Sequence, residues 1–185
     1  MENRRVVVTG IGAVSPLGNN ANSTWESMKA GRSGITLIES MDTSEYPVKI
    51  GGEIRDFDHT QYFSNPKDAR RMDRYAHLSI AAAQMALAES GLSESEIDRD
   101  RVGVMLGSGI GGLGTLEKNH TVLLNRSPSR VSPFTIPMMI SNIASGVFSM
   151  EHGFGGPNMA IVTACATANH SIGEAWRMIK FGDAE

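Results

Sequence analysis

Twice in this chain a short apolar run gives way, through small residues, to a segment of helical periodicity. That repeated step most restricts the fold. The first instance is Val102-Gly103-Val104-Met105-Leu106, followed by Gly107-Ser108-Gly109-Ile110-Gly111-Gly112 and a helix expected near Leu116 to Leu124. The second is Met159 to Val162, then Thr163-Ala164-Cys165-Ala166-Thr167 and a pattern through Ile172, Ala175, Trp176 and Ile179. Short apolar runs bounded by small residues suit buried strands, and strands alternating with helices pair in parallel under helical layers. The sequence predicts an α/β fold with a mostly parallel sheet covered on both faces.

The remaining elements fit around this step. Val6-Val7-Val8-Thr9 is a further buried-strand candidate, ended by Gly10-Ile11-Gly12. Asn22-Ser23-Thr24 precedes a short capped helix over Trp25 to Lys29, stopped at Gly31. The stretch from Arg32 to Phe57 is rich in turns and short extended pieces, with a bend at Gly51-Gly52. One long helix is expected from Lys67 to Gly91: Met72, Tyr75, Ala76, Ile80, Ala83 and Leu87 recur at helical spacing and Gly91 closes it. Pro128, Pro133 and Pro137 punctuate a loop, and a small-residue helix resumes over Met138 to Met150. Arg177 and Lys180 in the last turn, with Gly182 after them, stop the final helix.

Composition narrows the class. The hydrophobic fraction is 41% and the net charge −3, which suits a globular protein and carries no signal for nucleic acid or a bilayer. Arg4 and Arg5 precede an apolar run too short for a signal peptide or a membrane span. The single cysteine excludes an intramolecular disulfide and fits a reducing compartment, so a cytoplasmic location is the expectation.

That cysteine, Cys165, sits where a strand passes into a helix. Free amides and the helix dipole favour a thiolate at such a place, and the thiolate is the form that attacks carbonyl carbon. On residues alone, Cys165 reads equally as a nucleophile or as a small buried apolar residue. Two glycine patterns imitate nucleotide sites and fail the test. Gly107-x-Gly109-x-x-Gly112 follows a strand, yet no carboxylate stands between Glu117 and Glu151 to hold a ribose. Gly10-x-Gly12-x-x-Ser15 runs into Pro16. The glycines are read instead as allowing close packing. His59, His77, His120, His152 and His170 have no coherent metal spacing, so neither metal nor cofactor is expected.

The stretch Thr163-Ala164-Cys165-Ala166-Thr167-Ala168-Asn169-His170-Ser171-Ile172-Gly173 resembles the nucleophile motif of the β-ketoacyl-acyl-carrier-protein synthases, and the likeness runs from Arg4-Arg5-Val6-Val7-Val8-Thr9-Gly10 to the last residue. The resemblance implies a thiolase-like fold, of which residues 1–185 would form the N-terminal half of a layered αβαβα architecture with a mostly parallel mixed sheet. It implies decarboxylative condensation of an acyl group, held on Cys165, with malonyl-carrier protein in fatty acid elongation. The two histidines that serve the enolate oxygen belong to the family's second half. His170, five residues past Cys165 on one helix, points away from the sulfur and is read as structural.

Further roles follow from the same resemblance. Ile110 matches the gate of the acyl tunnel and favours the type II branch, where type I relatives usually have glycine. Val131-Ser132-Pro133-Phe134-Thr135-Ile136-Pro137 is similar to the segment that crosses a homodimer interface and lines the partner's acyl pocket. Phe134, Thr135, Ile136 and Ala164 are thus substrate-binding candidates, and Thr135 departs from the usual second aromatic. Lys67, Arg70, Arg71 and Arg130 match positions that contact the acidic carrier protein, although such a cluster by itself is an ordinary solvated face. The alternatives are a type I synthase, a polyketide ketosynthase subunit, or a non-catalytic fragment active only in assembly. Without its second half, such a chain is expected to lack condensing activity and to leave an apolar face uncovered.

Overall fold

A computed structural model of the chain describes residues 4–185. Helix α1 spans Ala21–Lys29, β1 Ile35–Leu37 and β2 Ile50–Gly52; α2 is Pro66–Ala69 and α3 Arg74–Ser90. Then come β3 (Val104–Met105), α4 (Leu113–Asn125), α5 (Thr135–Met139), α6 (Ile143–His152), β4 (Asn158–Met159) and α7 (Thr167–Phe181). The core gathers on α3, which buries Ala76, Ile80 and Leu87, and on α6, which buries Ala144 and Phe148. Met72, Phe63, Val102, Val104 and Phe154 complete it. Tyr75 and Ala83 pack on its margin, so the apolar spacing read over this helix is the buried face.

The single helix expected over Lys67 to Gly91 is broken. Asn65 caps the short α2 by accepting from Lys67 N, with Pro66 in the first turn. The chain then turns through Arg70 to Asp73 before α3 begins. At the break the carbonyl of Ala69 accepts from Met72 N at 3.2 Å and from His77 Nε2 at 2.7 Å. The small-residue helix expected over Met138 to Met150 is divided too. Ile140 is extended (φ −64, ψ 137), so α5 ends before α6 begins, and the Tyr75 hydroxyl donates to the carbonyl of Ile140. Burial lifts the Tyr75 phenol to about 12, so it remains a donor at any ordinary pH. Helix α1 starts earlier than expected, because Asn20 rather than a residue of Asn22-Ser23-Thr24 is its N-cap, in a reciprocal capping box with Ser23.

A pH dependence arises at the α2–α3 break. The His77 ring stacks on His59 with centroids 3.8 Å apart and is half-buried. Burial pushes its pKa below the usual value; the bond to Ala69 O opposes this, His59 and Arg74 add to it, and Asp73 works against it. Burial likewise lowers His152. Between the depressed folded pKa and about 6.5 the unfolded chain binds more protons, so stability rises with pH there. Both contributions are complete above the unfolded value and vanish as pH falls through the folded one. The urea midpoint should drop on going from neutral pH into that window, and His77→Gln should flatten the slope.

The strands are shorter than the apolar runs. β3 and β4 pair in parallel, Val104 with Asn158 and Met105 with Met159, while β1 and β2 form a separate antiparallel hairpin. Val6 to Thr9 is not a strand among the described residues. Val7 and Val8 are 61% and 76% exposed, and a ladder requires a neighbour for every amide. The segment is held to helices instead. At Gly10 and Gly12 a Cβ would stand 2.1 Å from Ala86 O and 1.8 Å from Ala82 O of α3, and Lys180 Nζ donates to Arg4 O at 2.8 Å. The fully buried Ser145 of α6 stitches the parallel pair: its Oγ accepts from Leu106 N at 2.9 Å and donates to Met159 O at 2.9 Å.

Helix α7 does not face as its apolar pattern suggests. Thr167, Ser171 and Met178 are buried, whereas Ile172 and Trp176 are 67% and 48% exposed. Beside Gly107 α7 presents Thr167 and Ser171, where a larger side chain would not fit.

Candidate active site

Cys165 is exposed, in the middle of the single 3₁₀ turn Ala164–Ala166 that feeds α7. Ala164, before it, has φ +49, a left-handed conformation that costs an L-residue about 1 kcal/mol or more. The turn is clamped from both sides. Thr163 N donates to Thr167 Oγ1 at 2.9 Å, Ala166 N to Thr163 O at 3.1 Å, and Thr163 Oγ1 lies 2.8 Å from His170 Nδ1. His170 therefore holds the turn through Thr163. The turn's own hydrogen bonds use the amides of Ala166 and Thr167, leaving that of Cys165 out of them. Helix α7 has no side-chain cap at Ala166.

The glycine loop forms the back of the site. At Gly107 an added Cβ would lie 2.4 Å from Thr167 Cγ2, 2.8 Å from Ile161 O and 2.8 Å from Ser171 Oγ. At Gly109 it would meet Ala164 Cα at 3.7 Å, so the loop runs against the turn that carries Cys165. These glycines serve close approach of backbone, in line with their reading as packing residues rather than a nucleotide cradle. Ser171 Oγ is buried against them without a hydrogen-bond partner among the described residues. An unpaired buried hydroxyl costs about 1–3 kcal/mol, so Ser171→Ala should raise the melting temperature rather than lower it.

Three of the other candidates, Ile110, Phe134 and Arg71, line two apolar hollows. Ile110 is 70% exposed, hence no core isoleucine, and lines a cavity of about 420 Å³ with Leu113, Leu116, Met139 and Ile140. Gly112 N donates to Met139 O at 2.8 Å, which brings the Ile110 loop to the end of the segment that carries Phe134, Thr135 and Ile136. Phe134 lines a larger groove of about 570 Å³ with Met72, Pro137, Ile143 and Val147. The Arg71 guanidinium stands 4.9 Å from the Phe134 ring centre, joining the basic cluster to that groove. Thr135 turns its hydroxyl back onto Ser132 O at 2.7 Å, and Ile136 is 59% exposed outside both hollows. Lys67, Arg70 and Arg71 are all exposed on α2 and the turn after it, while Arg130 occupies the separate turn Pro128–Arg130. The sequence reading missed Ser145, the Thr163–Thr167 clamp and Asp73. Only Asp73 had a local signal, as an N-cap residue inside the helical pattern. Among the described residues no three His, Cys, Asp or Glu side chains gather to hold a metal, and no helix is long and apolar enough to cross a membrane.

A cysteine on a strained turn between a parallel strand and a helix, backed by a glycine loop from the neighbouring strand, defines an α/β protein of the thiolase-like class. The chain belongs to the β-ketoacyl synthases: the family described as "Beta-ketoacyl synthase, N-terminal domain" matches residues 3–185. It is 45% identical over its whole length to 3-oxoacyl-[acyl-carrier-protein] synthase 2 of Synechocystis, 48% to that of Vibrio harveyi and 46% to that of Staphylococcus aureus strain COL. It spans 44% of the length of each of these relatives. Among solved structures, the ishigamide ketosynthase/chain length factor superposes with TM-score 0.88 at 26% identity, covering 99% of this chain and 46% of that one. A type II polyketide acyl-carrier protein in complex with its ketosynthase bound to the hexaketide gives 0.81 at 26%, covering 100% and 50%.

Proposed function

We propose that this chain supplies the acyl-accepting half of a type II 3-oxoacyl-carrier-protein synthase, residues 1–185 being the N-terminal half of its catalytic domain. The observation that carries this is Cys165, exposed on the left-handed Ala164 turn at the uncapped mouth of α7. Its sulfur attacks the carbonyl carbon of an acyl thioester on a carrier protein. The Cys165 amide and the helix mouth stabilise the tetrahedral oxyanion, and the carrier thiol departs with the proton from the cysteine. Malonyl-carrier protein then loses carbon dioxide, its carbanion forms the new carbon–carbon bond at the acyl carbonyl, and the cysteine sulfur leaves. The two histidines for the enolate oxygen belong to the remainder of the domain, since His170 is occupied with Thr163.

Ile110 gates the acyl tunnel, with Ala164 beside Cys165, and Phe134, Thr135 and Ile136 serve the acyl path of a homodimer. Lys67, Arg70, Arg71 and Arg130 meet the acidic carrier protein, whose encounter should weaken with salt. Identity of 45–48% to 3-oxoacyl-[acyl-carrier-protein] synthases 2, against 26% to a ketosynthase of a type II polyketide system, favours fatty acid elongation over polyketide assembly. A cytoplasmic location belongs with this reading. The test is intact-mass and peptide mass spectrometry after incubation with acyl-carrier protein. An acyl adduct on Cys165 is expected, and an unmodified thiol would favour a purely assembling fragment.

A further inference from the structure

Helix α4 begins at a glycine. Gly112 holds its N-cap position and makes no side-chain bond to the free amides of the first turn. A larger residue does not fit there, because a Cβ would lie 2.4 Å from Met138 O. The missing cap comes from another helix. The Asp73 carboxylate accepts from Thr115 N at 2.7 Å and from Thr115 Oγ1 at 2.6 Å. Thr115 is the third residue of α4, and its amide is one that an ordinary N-cap side chain would take. Asp73 itself stands at the N-cap of α3 and makes no side-chain cap there. Its charge is committed to the neighbouring helix.

We propose that Asp73 is a positioning residue for acyl transfer: a cap lent across helices that ties the basic segment Lys67–Arg71 to the glycine loop behind Cys165. The proposal rests on Cys165 being the acyl acceptor. On one side, only Met72, anchored in the core, separates Asp73 from Arg71. On the other, Thr115 is buried in the first turn of the helix that terminates the Gly107–Gly112 loop, and Gly109 of that loop abuts Ala164. Bonds to an ionised acceptor are the strong kind, so movement at the docking segment reaches Ile110 and the nucleophile turn through this link.

The test compares Asp73→Ala, Asp73→Asn and Thr115→Val in this chain by two readouts. The first is amide exchange of residues 107–116. The second is the rate of Cys165 acylation by acetyl- and decanoyl-carrier protein, set against alkylation by iodoacetamide. Asp73→Ala should speed exchange in residues 107–116 about tenfold, with α3 unchanged, as loss of a cap does. Decanoyl transfer should fall about tenfold, acetyl transfer less and alkylation not at all, the pattern of a displaced pocket wall. Asp73→Asn, which keeps an acceptor for the Thr115 amide, should recover most of the loss. Equal changes in α3 and α4, or one common fall in every rate, would overturn the proposal as mere loss of packing. If the unaltered chain accepts no acyl group, the acceptor reading fails, while unchanged exchange in Asp73→Ala would separately sink the link. Should Asp73→Ala not fold, Thr115→Val carries the test with a change of about threefold from one lost hydrogen bond, and exchange at the unaltered rate overturns it.

Discussion

Cys165→Ser should take no acyl group from a carrier thioester, with the rate of adduct formation down about 1,000-fold or more. Serine is close to cysteine in size and leaves the turn's bonds untouched, since Thr163, Thr167 and His170 make them without the sulfur. The fold read by circular dichroism should therefore be unchanged. What is lost is chemical: a hydroxyl is a far weaker nucleophile at neutral pH than a thiol. His170, the nearest histidine in sequence, is engaged by the Thr163 hydroxyl and cannot rescue it. Mass spectrometry of both proteins after the same incubation decides the matter. An adduct that persists in Cys165→Ser would place acylation elsewhere and remove the basis of the proposed function.

The second large effect lies in the frame around that turn. Gly107→Ala puts a methyl 2.4 Å from Thr167 Cγ2 and 2.8 Å from Ile161 O. The first contact could relax by rotating a side chain, but the second is backbone, so the loop after β3 and the segment after β4 must move apart. Overpacking of this kind costs about 1–3 kcal/mol, and the displaced Thr167 is the residue that clamps Thr163. Urea unfolding should show the loss, and Cys165 acylation should fall with it. Gly173→Ala on α7 supplies the contrast: nothing lies within 4 Å of its added Cβ, and exchanging glycine for alanine inside an exposed helix is worth about 1 kcal/mol of stabilisation. Equal stability of Gly107→Ala and the unaltered chain would mean that the close approach of the Gly107 loop to α7 is not what holds the turn.

Much of this was legible in the residues. Strand-to-helix steps at Val104 and Met159, the Gly91 stop of α3 and the placement of Cys165 at a turn are local patterns, written in spacing and in small residues. Helix boundaries were less legible. The break between α2 and α3 falls inside an unbroken apolar pattern, because burial of Met72 and Ala76 continues across it while Asp73 leaves the helix to reach Thr115.

The sequence by itself determined the fold class, the family and the placement of its one cysteine at a strand-to-helix turn, since each depends on residue types at short, fixed spacing. Only the tertiary structure decided that α7 turns Thr167 and Ser171 inward and Ile172 outward, that Ser145 joins two strands, and that Asp73 caps a helix not its own. Those facts depend on which surfaces meet and how closely. A gap that admits only glycine at 107, or a carboxylate 42 positions from its partner, comes into being when distant parts of the chain are brought into contact.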